Sequence, residues 1–239
     1  MAKLTDFKVL TFDVYGTLID WETGILENLH PLLDANNANF TREELLHALH
    51  ECEHSQQTAT PDLKYHELLT AIHPQVAEKL GLSKPSPEQS RAFGASVGSW
   101  PAFPDTVKAL ERLGKHYKLV VLSNVDHESF SDTNSGPLQG TKFDLIITAQ
   151  DVGSYKPDVR NFEYMIREVG DKLGASKDQI LQTAQSQFHD HYPAQKMGIR
   201  SSWIVRPGAI MGNRSDTVYD WKFNTLGEMA DAVEAELKA

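Results

Sequence analysis

The chain has 239 residues, 40% of them hydrophobic and 23% charged, the composition of an ordinary globular protein that can hold one large domain or a domain with an insertion. Its formal net charge of -10 argues against nucleic acid or an anionic membrane surface as a partner, and no apolar run approaches the length that crosses a bilayer. Cys52 is the lone cysteine, so an intrachain disulfide is excluded and a cytoplasmic, reducing location is expected.

Met1 to Phe7 has no apolar stretch of the kind that directs secretion. Lys8 to Asp13 then reads as a buried strand ending on a carboxylate, and Val14-Tyr15-Gly16-Thr17 as a turn whose glycine allows the tight bend. From Trp21 to about Phe103 the apolar spacing is helical. Ile25, Leu29, Leu32 and Leu33 share one face; Leu45, Leu46 and Leu49 share a second; Leu68, Leu69 and Ile72 share a third. Thr41 with Glu44 makes a capping box that fixes one helix start. This stretch is also the acidic part of the chain, with 12 Asp and Glu against 5 Lys and Arg between Asp20 and Trp100.

After Phe103 the period changes to strands alternating with helices. Strands are expected at Tyr117–Ser123, Phe143–Thr148, Ile180–Ala184 and Ser202–Val205, and helices at Val107–Leu113, Phe162–Leu173 and Leu226–Leu237. Asp132–Gly140, rich in Ser, Asn and Gly, reads as a surface loop. Such alternation implies βαβ units and a parallel sheet covered on both faces. The organisation expected is an α/β core of residues 1–18 and 103–239, with an all-helical cap of residues 19–102 inserted after the first strand.

In open α/β sheets ligands bind outside the carboxyl ends of the strands. Those ends carry Asp13, Ser123 with Asn124, Lys156, and the run Ser186 to Asp190. A carboxylate, hydroxyl and amide donors, an ammonium and a second carboxylate suit nucleophilic catalysis by a carboxylate on a polar substrate.

Phe12-Asp13-Val14-Tyr15-Gly16-Thr17-Leu18 resembles the first motif of the haloacid dehalogenase superfamily. Leu122-Ser123-Asn124 resembles its second and Tyr155-Lys156-Pro157-Asp158 its third, and Ser186 to Asp190 sits where its fourth belongs. Four motifs in order are far more specific than any one. The resemblance implies a Rossmann-like doubly wound parallel sheet with a helical cap, and Asp13 as a nucleophile that forms a covalent intermediate.

The subtype follows from two positions. Superfamily phosphatases usually have Asp two residues after the nucleophile, where this chain, like the L-2-haloacid dehalogenases, has Tyr15. They also keep two acidic residues in the fourth motif, where this chain has Ser186 and only Asp190. The resemblance therefore implies hydrolysis of a small 2-haloacid without a cofactor. Asp13 displaces halide, Thr17 orients Asp13, and Lys156 with Asp190 activates the water that cleaves the ester. Tyr15, Ser123, Asn124, Ser186, Gln187 and Trp21 are the expected substrate contacts. Departures exist: the dehalogenases carry a cap arginine that no residue here is assigned to match, and they often have Tyr where this chain has Phe162.

Two other readings stay open. A phosphatase would hold Mg2+ weakly on Asp13, the Tyr15 carbonyl and Asp190. A non-catalytic relative would bind a ligand or partner only, and a homodimer is compatible with either. His47, His50 and His54 lie at helical spacing and are read as a solvated face rather than a zinc site. His189 and His191 flank Asp190. Trp21, Trp100 and Trp203 are read as core residues that could also border the cleft. Asp190 could also cap the helix that begins near Pro193.

Overall fold

The computed structural model describes residues 2–239. Among them, six strands form one sheet: β1 (Val9–Phe12), β2 (Lys118–Ser123), β3 (Leu145–Thr148), β4 (Ile180–Ala184), β5 (Arg200–Ile204) and β6 (Trp221–Phe223). All pairs are parallel, in the order β3-β2-β1-β4-β5-β6. This is the Rossmann-like α/β class read from the sequence. The central strand β1 is buried along its whole length, as expected for a parallel strand covered on both faces.

Alternate residues of each strand feed opposite layers. Val9, Val120, Leu122 and Ile180 pack on one side with Phe162, Met165 and Val169, which lie on the helix at Arg160–Leu173. Leu10, Phe12, Leu119, Val121 and Leu181 pack on the other side with Leu110, Leu113, Met229 and Val233, from the helices at Thr106–Leu113 and Leu226–Glu236. The second cluster continues without a break into Ile25, Leu29, Leu46, Leu68 and Ile72.

In chain order the helices are α1 (Trp21–Ala35), α2 (Arg42–Ala59), α3 (Tyr65–Lys79), α4 (Pro87–Ala95), α5 (Thr106–Leu113), α6 (His127–Ser135), α7 (Ala149–Val152), α8 (Arg160–Leu173), α9 (Tyr192–Lys196) and α10 (Leu226–Glu236). The four from α1 to α4 contribute no strand to the sheet. Thr41 caps α2 as its spacing predicts, accepting from the Glu44 N–H at 3.2 Å while Glu44 accepts from the Thr41 N–H at 2.7 Å. The chain segments that enter and leave α1–α4 run side by side: Ile19 bridges Ala102, the Asp20 N–H donates to the Pro101 carbonyl, and the Phe103 N–H donates to the Leu18 carbonyl.

Two local readings are corrected. Asp132–Ser135 is not loop but the last turn of α6, and Thr133 and Leu138 are fully buried. Polar composition misled because α6 buries only a few residues and caps itself with Asp126, which accepts from the Ser129 N–H at 3.0 Å. The edge strand β6 was not anticipated, since three residues are too short to display a period.

Candidate active site

The register aligns the carboxyl ends of the central strands. Phe12 pairs with Val121 and Thr183, and Ser123 with Thr148. Asp13, Asn124, Lys156 and Asp190 therefore converge on one point above β1 and β4, and all four line one cavity of about 110 Å³. Gly16 turns the chain sharply after Asp13. Its φ of +100° suits glycine, and a Cβ there would lie 3.2 Å from the Trp21 indole nitrogen.

Lys156 organises the centre. Its ammonium donates to Asp13 Oδ1 at 2.9 Å, to Asp190 Oδ1 at 2.8 Å and to the Leu122 carbonyl at 2.9 Å, so all three protons are used. Burial alone would depress its pKa, but the Asp13 and Asp190 carboxylates outweigh that and hold it above the usual lysine value. The Lys156 backbone is clamped in turn. Asn124 Oδ1 accepts from the Lys156 N–H at 2.6 Å and Asn124 Nδ2 donates to the Lys156 carbonyl at 3.0 Å.

Each carboxylate has a further partner. Thr17 Oγ1 donates to Asp13 Oδ2 at 2.6 Å and accepts from the Gln185 N–H at 2.8 Å. Gln182 Nε2 donates to Asp190 Oδ1 at 2.9 Å, while Asp190 Oδ2 is buried without a partner. Burial raises the Asp190 carboxyl to about 7; Lys156 pulls against that rise and Asp13 adds to it. A buried carboxyl poised near neutrality, on a residue that lines the cavity and with one oxygen unpartnered, has the properties of a general base.

The other expected contacts divide. Tyr15, Trp21, Asn124 and Ser186 line the cavity, whereas Ser123 and Gln187 do not. The Tyr15 hydroxyl is engaged by Thr133 Oγ1 at 2.7 Å, and burial pushes its pKa up. Gln187 Oε1 accepts from the Val218 N–H at 2.9 Å, turning away from the substrate space. Ser186 caps the wide turn Gln187–His191 by accepting from the His189 N–H at 3.1 Å. Asp190 is thus not the helix cap that the sequence suggested; the turn aims its side chain inward. His191 is buried between Ser201 Oγ and the Ala184 carbonyl, each at 2.9 Å. Trp100 and Trp203 are core residues, the former edge-on to Tyr15.

His50 and His54 do not form a purely solvated face, because both line the cavity with Glu53, Gln57 and Tyr65. Among the described residues, no three His, Cys, Asp or Glu side chains come together as a metal site. Magnesium needs several oxygen ligands. Two carboxylates already bridged by an ammonium do not fit that requirement.

Sequence reasoning missed Gln185 and the loop from Arg206 to Gly212. Met211 and Gly212 close one wall, held by Glu22, which accepts from the Ile210 N–H at 2.9 Å and the Met211 N–H at 2.8 Å. Gln185 Nε2 donates to the Met211 carbonyl at 3.1 Å. Gly212 has a φ of +78°, which favours glycine, and a Cβ there would also press on Gln185 Oε1 at 2.7 Å. Arg206 is buried, donating to the Thr17 carbonyl at 2.8 Å and lying over the Phe103 ring.

The haloacid dehalogenase-like hydrolase model matches residues 7–180; the chain belongs to this family and is a hydrolase. It is 25% identical over 225 residues to (S)-2-haloacid dehalogenase H-109 of Pseudomonas putida, covering 93% of this chain and 96% of that protein. Its fold is similar to that of a defluorinating L-2-haloacid dehalogenase, with a TM-score of 0.79 and 17% identity over 100% of this chain and 99% of the other. The L-2-haloacid dehalogenase from Xanthobacter autotrophicus with chloropropionic acid covalently bound superposes with a TM-score of 0.77 and 16% identity, covering 95% and 98%. Among the described residues no helix is long and apolar enough to cross a membrane.

Proposed function

We propose that this hydrolase cleaves the carbon–halogen bond of a small 2-halo substrate through an ester on Asp13, without a metal or other cofactor. The observation that carries the reading is the Asp13–Lys156–Asp190 bridge, with Asp190 Oδ2 left free. An Asp13 oxygen attacks the carbon that bears the halogen; the carbon–oxygen bond forms as halide leaves with the bonding pair. Water then gives a proton to Asp190 and attacks the Asp13 carbonyl carbon. As the ester carbon–oxygen bond breaks, the leaving alkoxide takes the proton that the added hydroxyl brought to Asp13, which restores the Asp13 carboxylate and gives the 2-hydroxy compound, and Asp190 releases its proton to solvent. Lys156 supplies the positive charge that steadies the oxyanion formed on the way, and Thr17 fixes the orientation of Asp13.

Residues 19–102 act in this reading as a cap over Asp13, because the segments by which the chain enters and leaves them are bridged at Ile19 and Ala102 and α2 and α3 line the cavity that holds Asp13. The lone Cys52 is buried and free, which suits the reducing cytoplasm.

The test is turnover of 2-chloropropionate in heavy-oxygen water, with halide release and the mass of the Asp13 peptide as readouts. The reading requires heavy oxygen to enter the Asp13 carboxyl over many turnovers and Asp13→Asn to lose all turnover while keeping its fold. Heavy oxygen found only in the product would mean direct attack by water. Phosphate release that stops with EDTA and returns with magnesium would replace the reading by the phosphatase one.

A further inference from the structure

The far wall of the cavity has a chemistry that displacement at Asp13 does not use. Helix α2 presents His50, Glu53, His54 and Gln57 to the substrate space, and α3 presents Tyr65. Among the described residues lining the cavity, Lys156 is the only permanent cation, and its three protons go to Asp13, Asp190 and the Leu122 carbonyl. Arg42 turns elsewhere, donating to Glu22 at 2.9 Å, and Arg91 pairs with Glu88 on the surface. A free carboxylate entering this space therefore finds no unused lysine or arginine, and it finds a third acid, Glu53, beside Asp13 and Asp190 instead.

We propose that Glu53 is a specificity-determining residue of this site, accepting a hydrogen bond from the non-reacting end of the substrate and so selecting 2-haloamides over 2-haloacids. This rests on the reading that Asp13 displaces halide. Three features favour it. Glu53 is held rather than free, because Gln57 Nε2 donates to its Oε1 at 3.2 Å, and it lines the cavity beside Tyr65, which is buried against Tyr15 across 6.5 Å. No hydrogen bond among the described residues takes up its Oε2, so an acceptor remains on this wall of the cavity. Two of the neighbouring histidines do not supply a counter-charge: burial pushes His50 down, helped by His54 and His47, and burial beside Lys156 holds His189 at about 4. A neutral amide brings N–H donors that a carboxylate or a carboxylic acid can accept from, and it adds no negative charge to Asp13 and Asp190. Burial raises the Glu53 carboxyl to about 7, so above that pH a carboxylate substrate meets like charge there. Sites that match a polar substrate group reject analogues lacking it far more strongly than apolar pockets do, and an unpaired like charge acts against the wrong partner.

The experiment compares 2-chloropropionamide with 2-chloropropionate at about pH 8, where a group titrating near 7 is mostly ionised. Halide release gives kcat/KM for each, in the wild type, Glu53→Gln and Glu53→Arg. The wild type should favour the amide by at least about tenfold, Glu53→Gln should shrink that ratio through KM, and Glu53→Arg should invert it. Calorimetric titration with the inert analogues lactamide and lactate, on the same proteins, reads the preference without turnover and also reports any variant that fails to fold. Equal or better use of the acid by the wild type, or a ratio unmoved by Glu53→Gln, overturns the assignment. If neither chloro compound releases halide while lactamide binds in preference to lactate and Glu53→Gln abolishes that preference, the dehalogenase reading falls and the Glu53 assignment stands.

Discussion

At the scale of single residues, the site depends on how one ammonium is shared. Lys156 is among the largest fully buried side chains, and a buried cation is tolerable only when it is paired and hydrogen-bonded. It achieves this with two carboxylates that would otherwise repel each other above β1 and β4. The sharing is unequal: Asp13 has Thr17 as a second donor at 2.6 Å, whereas one oxygen of Asp190 has nothing. In the proposed reaction the nucleophile and the base would thus be separated by environment rather than by residue type. A pH dependence follows. Asp190 accepts a proton only when ionised, and burial raises it to about 7. In the ester Asp13 carries no charge and no longer adds to that rise, so hydrolysis of the proposed Asp13 ester should slow by about tenfold per pH unit below a midpoint that lies under the free-enzyme value, and level off above it. Rapid mixing followed by mass measurement of the ester checks this. Asp190→Asn should accumulate the ester and lose the pH step, and a step that survives the substitution would assign the base elsewhere. The effect on stability has its own sign. Because the folded value lies above the ordinary carboxylate range, ionising Asp190 opposes folding as the pH rises from about 4 to about 7.

At the scale of elements, the strands of the centre were legible because each is a short apolar run ending on a chemically distinctive residue. β1 ends before Asp13, β2 ends at Ser123, and the β4 run is followed by Ser186 to Asp190. The edge was not legible: β6 is three residues long and α6 hides its few buried residues in a polar sequence. Asn124 was legible as a site residue, but its use was not; its amide holds the Lys156 backbone at both ends, a fact that depends on which loop faces it. The loop from Arg206 to Gly212 had a usable signal. It follows β5 at the same end of the sheet as the other site loops, and Pro207, Gly208 and Gly212 mark it as a turn-rich connection. What the sequence could not give is its anchor on α1. Glu22 is buried, takes the Ile210 and Met211 N–H groups, and pairs with Arg42 at 2.9 Å. Hydrogen bonds to a charged acceptor contribute about 1.5–3 kcal/mol each when net. Glu22→Ala should therefore destabilise the protein by roughly 2–4 kcal/mol and raise KM by letting Met211 and Gly212 move. Glu22→Gln keeps an acceptor and should recover most of the stability. Denaturant unfolding and steady-state kinetics on the pair check this, and a stable Glu22→Ala protein with unchanged KM would show that the wall holds without it.

At the scale of the whole molecule, the helical segment and the sheet share one apolar cluster, from Phe12 and Val121 through to Leu46 and Ile72. They are also joined by polar contacts around the rim. Tyr155 donates to the Leu63 carbonyl at 2.5 Å, and His66 Nδ1 lies 3.1 Å from Asp126. Burial pushes the Asp126 carboxyl up, but bonds from Ser129 and His66 outweigh it and leave it below the usual carboxylate range. The cavity is thus walled by both parts, and whatever binds between them stabilises the entire fold by mass action. That turns the question of a metal into a measurement on the whole protein. A divalent ion held by Asp13, the Tyr15 carbonyl and Asp190 would have to displace the Lys156 ammonium from two contacts of 2.9 and 2.8 Å, and it would recover only two carboxylates in return. Magnesium, which gives up its waters reluctantly, should therefore leave the melting temperature unchanged at concentrations of about 10 mM, since stabilisation grows only once the ion exceeds its dissociation constant. EDTA should leave halide release unchanged for the same reason. Ser186 lines the cavity four residues before Asp190, where a further acid would complete an oxygen cluster. Ser186→Asp should make the melting temperature rise with magnesium. If the wild type already rises, the ammonium does not replace the metal; if Ser186→Asp does not respond, Ser186 does not stand at a ligand position and the fourth motif is misaligned.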